Sequence, residues 1–292
     1  MTMGQAVERF VRDGTTVAMS CSLEPLVPFA AGHEIIRQGR RDLELVAPIS
    51  DSLFDQLIGA GCVRRITAAW AGNVSEGLGH CYRRAAELGQ PVPIEIHDHS
   101  NFSISLALWA AAWGVPYLPT RTLLGSDILR SNPNLSVVDG LARVPAVTPD
   151  LTILHVQRAD SEGRAHAWGP LGISEEAALA ARQVILSCEE VVDEAVTLSD
   201  PNRVLVAPTK VVAVVHEPGG AHPAPVQGYW RRDHDAHRRY ADQSRSGEGF
   251  EAWLREWVLG VRDRSAYLAK FDSSTLRVRT SKPSVAVNYG DE

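Results

Sequence analysis

The sequence lacks the features that mark several large classes of protein. No apolar run in the 292 residues reaches the ~18 residues that a membrane-spanning helix needs. The N-terminal segment is predicted as an amphipathic helix and not as a signal peptide. The four cysteines, Cys21, Cys62, Cys81 and Cys188, are irregularly spaced and form no CxxC pair. These absences are typical of a reduced protein of the cytoplasm.

An excess of positive charge is also missing. The chain has 29 lysine and arginine residues against 35 aspartate and glutamate residues, a formal net charge of -6 at pH 7. Nucleic-acid-binding domains usually carry a basic face, so this balance argues against a nucleic-acid partner. Hydrophobic residues make up 45% of the chain and charged residues 22%, which is ordinary for a globular protein with a substantial core.

Three motifs that carry familiar chemistry are absent as well. No GxGxxG follows the first predicted strand, and no P-loop motif ending in GKS or GKT occurs. There is no GxSxG, the pattern of a hydrolase nucleophile elbow. The sequence therefore gives no support to dinucleotide binding, P-loop nucleotide hydrolysis or a serine-hydrolase mechanism.

A regular alternation of strands and helices is what the sequence does contain. Strands are predicted at 16–20, 43–48, 63–70 and 93–97, and helices at 29–38, 52–60, 73–87 and 103–113. Beyond a long excursion over 128–150, strands are predicted at 151–156, 184–188 and 211–215. This alternation is typical of an α/β fold with an open, mostly parallel sheet and helices on both faces. We predict a single domain over residues 1–292, with a C-terminal helical extension from about residue 228.

Functional groups in such sheets usually lie beyond the carboxyl ends of the strands. That rule selects the three polar segments Ser20–Ser22, Ala71–Asn73 and His97–Asn101. In the last segment, His97 and His99 are candidate metal ligands, with a neighbouring carboxylate as a third. The alternatives are that the histidines line a substrate pocket, or that they pack while a polar neighbour caps the following helix. An HxH pair alone is a weak signal, so we predict no metal site.

Two loops offer further polar groups. Gly125-Ser126 presents backbone N–H groups suited to an anion, and Arg121 is suited to a carboxylate or phosphate. The alternative is an ordinary loop. The glycine- and proline-rich segment 217–223 is interpreted as structural. Cys188 is predicted in the core and not as a nucleophile, because no histidine stands at a spacing from it that would indicate a catalytic pair.

Several of these segments together resemble the α subunit of class I CoA-transferases, particularly the glutaconate CoA-transferase α-subunit branch. Their order and spacing agree over residues 5–270, nearly the whole chain. The matching segments are Asp13-Gly14, 35–43, 57–64, 114–121 with 125–127, 188–190 and 218–223.

The resemblance implies a CoA-transferase-like fold that pairs with a homologous β-type subunit in a heterodimer or an α2β2 assembly. It also implies a coenzyme A thioester as substrate and no tightly bound cofactor. In such enzymes a glutamate of the β subunit carries coenzyme A, and the α subunit supplies part of the acyl pocket. No catalytic residue is therefore assigned to this chain. The predicted substrate-binding residues are Asn73, His97, His99, Asn101, Arg121 and Ser126, and the predicted oxyanion loop is Ser20, Cys21 and Ser22.

The sequence departs from the family pattern after the first strand. Ser20-Cys21-Ser22 stands where the family usually has Gly-Gly-Phe, and Leu26-Val27-Pro28 where many relatives have Arg-Lys-Pro. The loss of glycines restricts how closely the backbone can approach a ligand. We therefore also consider a non-catalytic scaffold subunit.

A related branch of the fold cleaves a carbon–carbon bond of an acyl-CoA in steroid-ring degradation. An α-subunit glutamate is important in that branch, and Asn101 stands at or near its position. Asparagine cannot act as a general base, which counts against this branch. An acyl-CoA hydrolase or ring-cleaving hydrolase subunit is the second prediction, with Glu95, Asp98 or His99 as candidates to replace the glutamate. The leading prediction is the α subunit of a CoA-transferase that acts on a carboxylic or dicarboxylic acid.

Overall fold

The computed structural model of the protein describes residues 1–277, and its centre is a nine-stranded sheet. This sheet contains β1 (Thr16–Ala18), β2 (Leu43–Ile49), β3 (Val63–Trp70), β6 (Glu95–Asp98), β10 (Leu151–Ala159), β11 (Ala165–His166), β12 (Gln183–Val191), β13 (Val204–Val206) and β14 (Val211–His216). Two smaller sheets contain β4 (Gly72–Asn73) and β5 (Gly77–Leu78), and β7 (Tyr117–Thr120), β8 (Ser136–Val138) and β9 (Leu141–Pro145).

Helices cover the sheet and continue beyond it. The α-helices are α1 (Met3–Phe10), α2 (Phe29–Arg37), α3 (Ser52–Gly59), α4 (His80–Leu88), α5 (Asn101–Ala112), α6 (Asp127–Ser131), α7 (Ser174–Ala180), α8 (Glu194–Leu198), α9 (His234–Ser244), α10 (Gly247–Leu254), α11 (Arg264–Leu268) and α12 (Ser273–Leu276). Two 3₁₀ turns lie at Pro201–Arg203 and Pro208–Lys210, and a π-helical turn spans Arg255–Leu259. Within residues 1–277, no helix combines the length and apolar character needed to cross a bilayer.

Seven strands of the sheet run parallel, in the order β14, β12, β10, β1, β2, β3 and β6. The central strand β1 sets the register, since Val17 lies opposite Leu45 of β2 and Leu151 of β10. The antiparallel strands β11 and β13 extend the sheet from β10. The predicted open, mostly parallel sheet is confirmed.

Each face of the sheet carries its own hydrophobic core. Successive strand residues point to opposite faces, so Leu45 packs in one core and Val46 in the other. Helices α1, α2 and α3 cover the first face, and α5 and α7 cover the second. Burial on both faces explains why the strands are nearly continuous apolar runs.

The helix predicted over 73–87 is wrong in its first half. Residues 72–78 form the small antiparallel hairpin of β4 and β5, and α4 begins only at His80. The side chain of Asn73 accepts hydrogen bonds from the backbone N–H groups of Ser75 and Glu76, which stabilises a turn. Gly77, with φ of +100°, then reverses the chain. Asn73 is therefore a turn residue and not a helix cap.

The excursion over 128–150 contains regular structure that the sequence analysis did not predict. Strand β9 pairs antiparallel with both β7 and β8 in a separate three-stranded sheet. This sheet packs beside α5. Its strands are short and partly exposed, so they show little of the apolar pattern by which strands are predicted.

Candidate functional site

The carboxyl ends of β1 and β2 are marked by strained backbone. Four residues other than glycine adopt positive φ angles there: Ser20 (61°), Leu23 (73°), Leu26 (57°) and Asp51 (47°). Such conformations cost on the order of 1–3 kcal/mol each and persist where the surrounding structure enforces them. Their concentration at one edge of the sheet indicates a functional site.

A pocket of about 340 Å³ opens at this edge. Its lining comes from five segments that are far apart in the sequence and is mainly apolar. The lining residues are Leu23, Glu24, Pro25, Ile49, Val74, Pro170, Pro225 and Gln227. Gln227 also has a buried side-chain oxygen without a hydrogen-bond partner within residues 1–277. An apolar cavity with few polar groups is suited to an organic acyl chain and is poorly suited to a polyphosphate.

The loop after β1 is held in place from two sides. The backbone N–H of Ile173 donates to the carbonyl of Cys21, and the N–H of Leu26 donates to the carbonyl of Pro225. The hydroxyls of Ser22 and Ser174 are 2.8 Å apart and hydrogen-bond each other. The loop that forms one wall of the pocket is therefore rigid, although it lacks the glycines of the family pattern.

The other wall depends on a buried ion pair. Asp51 lies just after β2, at the N-cap of α3, and is fully buried; its Oδ2 accepts a hydrogen bond from Nη1 of Arg232 at 2.8 Å. Its Oδ1 accepts from the backbone N–H groups of Ser52 at 2.9 Å and Val74 at 3.2 Å. Arg232 also donates to Ser75 in the β4–β5 hairpin. Asp51 therefore ties together the end of β2, the hairpin and the segment before α9.

The thiol of Cys21 is unsuited to nucleophilic chemistry. The side chain is buried, and this burial, together with the nearby charge of Glu176, raises the pKa of the thiol well above its usual range. Burial likewise raises the pKa of Cys188 to about 12. A thiol, not a thiolate, is present at neutral pH in both cases, so neither cysteine is an activated nucleophile.

The predicted histidines lie at the end of β6, where their rings are engaged by protein groups. His97 hydrogen-bonds Glu95 at 2.6 Å through Nε2 and Asn134 at 3.0 Å through Nδ1. His99 is buried and bonds the hydroxyl of Ser103 through Nδ1 at 3.0 Å. Burial, assisted by the neighbouring His97, lowers the pKa of His99 to about 4. Within residues 1–277, no group of three potential ligands is arranged to hold a metal ion.

The remaining predicted substrate-binding residues lie on separate elements of the fold. Asn73 is buried next to Val74, whose N–H bonds Asp51, and its side-chain amide donates to the carbonyl of His237. Asn101 is exposed in the first turn of α5, and Arg121 is exposed between β7 and α6. Ser126 caps α6 by accepting from the N–H of Leu129. Its hydroxyl is therefore already engaged.

The structure thus divides the predicted site into two groups. Ser20–Ser22 and Asn73 flank the pocket, since Leu23 and Val74 follow them directly in the chain. His97, His99 and Asn101 lie at the edge strand β6 and do not line that pocket. Sequence reasoning missed Ile49 and Asp51, although the rule of strand ends applies to β2 as it does to β1. It also missed the lining prolines, for which no local signal exists.

A second buried network lies beneath the loop 217–223. Glu189 of β12 accepts hydrogen bonds from the backbone N–H of Gly219 at 2.9 Å and from the indole of Trp230 at 2.9 Å. It also bonds Nε2 of His155, whose Nδ1 bonds Ser187. Burial alone would raise the pKa of Glu189, but the hydrogen bonds from His155, Gly219 and Trp230 hold it below its usual value. The network anchors the loop and confirms that its role includes structure.

Comparison with known proteins identifies similar chains. The coenzyme A transferase family matches residues 1–217. One subunit of the 3-oxoadipate CoA-transferase from Pseudomonas knackmussii is 43% identical over 92% of this chain and 97% of its own length. The corresponding subunit of the glutaconate CoA-transferase from Acidaminococcus fermentans is 28% identical over 94% of this chain and 92% of its own.

Two solved structures are similar in fold, and a more distant relative is similar in sequence. The crystal structure of the glutaconate coenzyme A-transferase from Acidaminococcus fermentans superposes with a TM-score of 0.89, covering 95% of each chain at 28% identity. A variant of the decarboxylase AibA/AibB gives a TM-score of 0.74 at 27% identity, covering 87% of this chain and 97% of its own. The cholesterol ring-cleaving hydrolase IpdA subunit of Mycobacterium tuberculosis is 27% identical over 90% of this chain and 95% of its own.

Proposed function

The chain belongs to the coenzyme A transferase family, and from this membership we propose that it is the α subunit of a heteromeric enzyme. The enzyme moves coenzyme A from an acyl-CoA to a carboxylic acid. The observation that carries this proposal is the 43% identity to one subunit of a 3-oxoadipate CoA-transferase over nearly its whole length. That relative and the glutaconate enzyme are both named for dicarboxylic acids, so a dicarboxylic acid is the first acceptor to test.

The reaction divides between two subunits. A glutamate expected on a homologous β-type partner attacks the acyl thioester and releases coenzyme A, leaving a mixed anhydride. The released thiolate attacks the glutamyl carbonyl of the anhydride, so the acyl group leaves as a carboxylate and the glutamate becomes a thioester. The second acid then discharges this thioester by the reverse steps. This chain contributes the apolar pocket at the ends of β1 and β2, which excludes water from the acyl group.

The assembly and its setting follow from the same proposal. We expect a heterodimer or an α2β2 complex in the cytoplasm, with the coenzyme A thioester as substrate and no other cofactor held tightly. The four buried, unpaired cysteines agree with a reducing compartment. Neither Cys21 nor Cys188 has an activated thiolate, which supports a division of labour with the catalytic group on the partner.

The experiment is to co-express the chain with a β-type partner and to incubate the complex with a panel of acyl-CoAs. Products are followed by mass spectrometry with acetate, with dicarboxylic acids and without any acceptor. Exchange that requires an acceptor acid supports the transferase. Release of coenzyme A or cleavage of the carbon skeleton without an acceptor would favour the hydrolase related to the ring-cleaving enzymes, and inactivity with every substrate would favour a scaffold.

A substitution tests whether the pocket holds the acyl group. Val74→Trp places a large ring in the pocket, so we expect KM for the acyl-CoA to rise at least tenfold. The control is Val196→Trp, at an exposed position of α8 that is absent from the pocket lining. Equal kinetics for the two variants would show that the acyl group binds outside this pocket.

A further inference from the structure

A small cavity lies between α3, α9 and the π-helical turn Arg255–Leu259, outside the pocket described above. Its volume is about 10 Å³. That volume is close to the space that one water molecule requires. The lining residues are Ser52, Gln56, Pro223, Ala236, His237, Arg239, Tyr240, Trp253, Trp257, Tyr267 and Phe271.

Three of the lining side chains carry buried polar atoms without a hydrogen-bond partner within residues 1–277. These are Oγ of Ser52, both ring nitrogens of His237 and Nε1 of Trp257. Ser52 and His237 are 0% exposed, and Trp257 is 8% exposed. Oδ2 of Asp51 lies 3.7 Å from Nε2 of His237, which is longer than a hydrogen bond.

Four other polar side chains of the lining make contacts of their own. The guanidinium of Arg239 lies over the ring of Trp257, 4.8 Å from its centroid. The hydroxyl of Tyr240 donates to Oδ2 of Asp55 at 2.5 Å, and Tyr267 hydrogen-bonds His222 at 3.1 Å. Oε1 of Gln56 bonds His33 at 3.0 Å. The unpartnered groups are therefore concentrated in three side chains, which come from three different helical segments.

Leaving these groups without partners would be costly. A buried, unsatisfied donor or acceptor costs on the order of 1–3 kcal/mol. The indole of Trp257 only donates, a neutral histidine donates once and accepts once, and a hydroxyl does both. One molecule that both donates and accepts can satisfy one atom of each side chain, and only water fits the volume.

We propose that this cavity is a binding site for one ordered water molecule, bridging Ser52, His237 and Trp257. The water joins the first turn of α3 to α9 and to the π-helical turn. Ser52 directly follows Asp51, so the water also links the chain next to the Asp51–Arg232 ion pair to the C-terminal helices. Trp257 lies in the π-helical turn Arg255–Leu259, a type of turn that is frequent at functional sites.

The sign of one stability change tests the proposal. If water bridges the site, Ser52→Ala removes a hydrogen bond, so we expect the Tm of the assembled complex to fall by about 2 °C. If the hydroxyl has no partner, its removal relieves an unsatisfied group and Tm rises. Because alanine also favours the helix, the control is Ser265→Ala at an exposed first-turn position of α11. A Tm for Ser52→Ala equal to or above that control overturns the proposal.

Crystallography supplies an independent measurement. Crystals of the complex should show one density peak in the cavity, within hydrogen-bond distance of Ser52, His237 and Trp257. A cavity with no density peak would refute the water site.

Discussion

The carboxylate of Asp51 is fully buried and is compensated by one guanidinium and two backbone N–H groups. Removing one partner of a buried pair leaves the other charge without compensation, which costs more than the pair itself contributes. The residue also has φ of 47° with ψ of −155°, outside the left-handed helical region that aspartate tolerates, so its backbone is strained. The ion pair and the hydrogen bonds around Asp51 hold this strained backbone in place.

Asp51→Asn isolates the contribution of the charge. Asparagine has nearly the same shape as aspartate and keeps the oxygen that accepts from Ser52 and Val74, but it leaves the guanidinium of Arg232 without its counter-charge. We expect the free energy of unfolding to fall by about 3 kcal/mol in urea titrations. The control is Glu87→Gln, which breaks an exposed pair with Arg83 and should have no measurable effect. Equal stabilities of the two variants would contradict the role given to Asp51.

His99 makes stability depend on pH. Its pKa is about 4 in the folded protein and about 6.5 in an unfolded chain, so the unfolded state binds the extra proton between these values. Stability from this residue is fully present above pH 6.5 and is lost as the pH falls towards 4. Between pH 7.5 and 5.5, we expect His99→Gln to lose about 1 kcal/mol less stability than the wild type.

Urea titrations at the two pH values measure this difference. The control is His234→Gln, at an exposed position of α9, which should follow the wild type. A His99→Gln variant with the same pH dependence as the wild type would show that His99 is not held neutral by burial.

At the scale of elements, the loop between β1 and α2 packs closely against the segment before α7. Gly172 has φ of +56°, and a Cβ atom there would lie 2.2 Å from the carbonyl oxygen of Cys21. Such a contact is impossible without movement of the loop. The family's glycines are missing from Ser20–Ser22, but a glycine on the opposite segment supplies the close approach instead.

Gly172→Ala therefore displaces the wall of the pocket. We expect a fall in kcat/KM of the complex by at least tenfold and a fall in stability of about 2 kcal/mol. The control is Gly114→Ala, where φ is +70° but nothing lies within 4 Å of the added atom. It carries the same backbone penalty without the collision, so its activity should stay near the wild-type value. A similar activity loss in both variants would refute the loop's part in the site.

At the scale of the whole molecule, the C-terminal helices share a core with the sheet. Phe250, Trp253 and Trp257 belong to the same hydrophobic cluster as strand residues Val17 and Leu45. We propose that the chain is one domain in which the region from about 228 is an integral extension. A shared core predicts that this region unfolds together with the sheet.

Trp253→Ala tests this cooperativity. Trp253 is buried against Tyr240, Phe250 and His33, so its truncation should cost about 3–5 kcal/mol. Scanning calorimetry should show one transition at a lower temperature, not a separate early transition for the helices. Trp113→Ala, at a position 63% exposed, should unfold close to the wild-type temperature. Two resolved transitions would contradict a single domain.

Local pattern was sufficient for the architecture, and it selected the edge of the sheet at which the pocket lies. Apolar runs such as 43–49 and 151–156 are strands because burial on both faces demands a continuous apolar sequence. The rule of strand ends then selects Ser20–Ser22 and Asn73, which flank the pocket. The family also followed from the sequence, since the order and spacing of its segments are a property of the chain itself.

Only the tertiary structure decided which side chains form the pocket. Its walls join residues such as Leu23, Pro170 and Pro225, which have no local feature that distinguishes them from ordinary core or loop residues. Asp51 and Arg232 pair across 181 positions, a distance over which sequence patterns carry no signal. A polar residue at a strand end can bond a ligand or the protein. The folded packing gives protein partners to both ring nitrogens of His97 and to Nδ1 of His99.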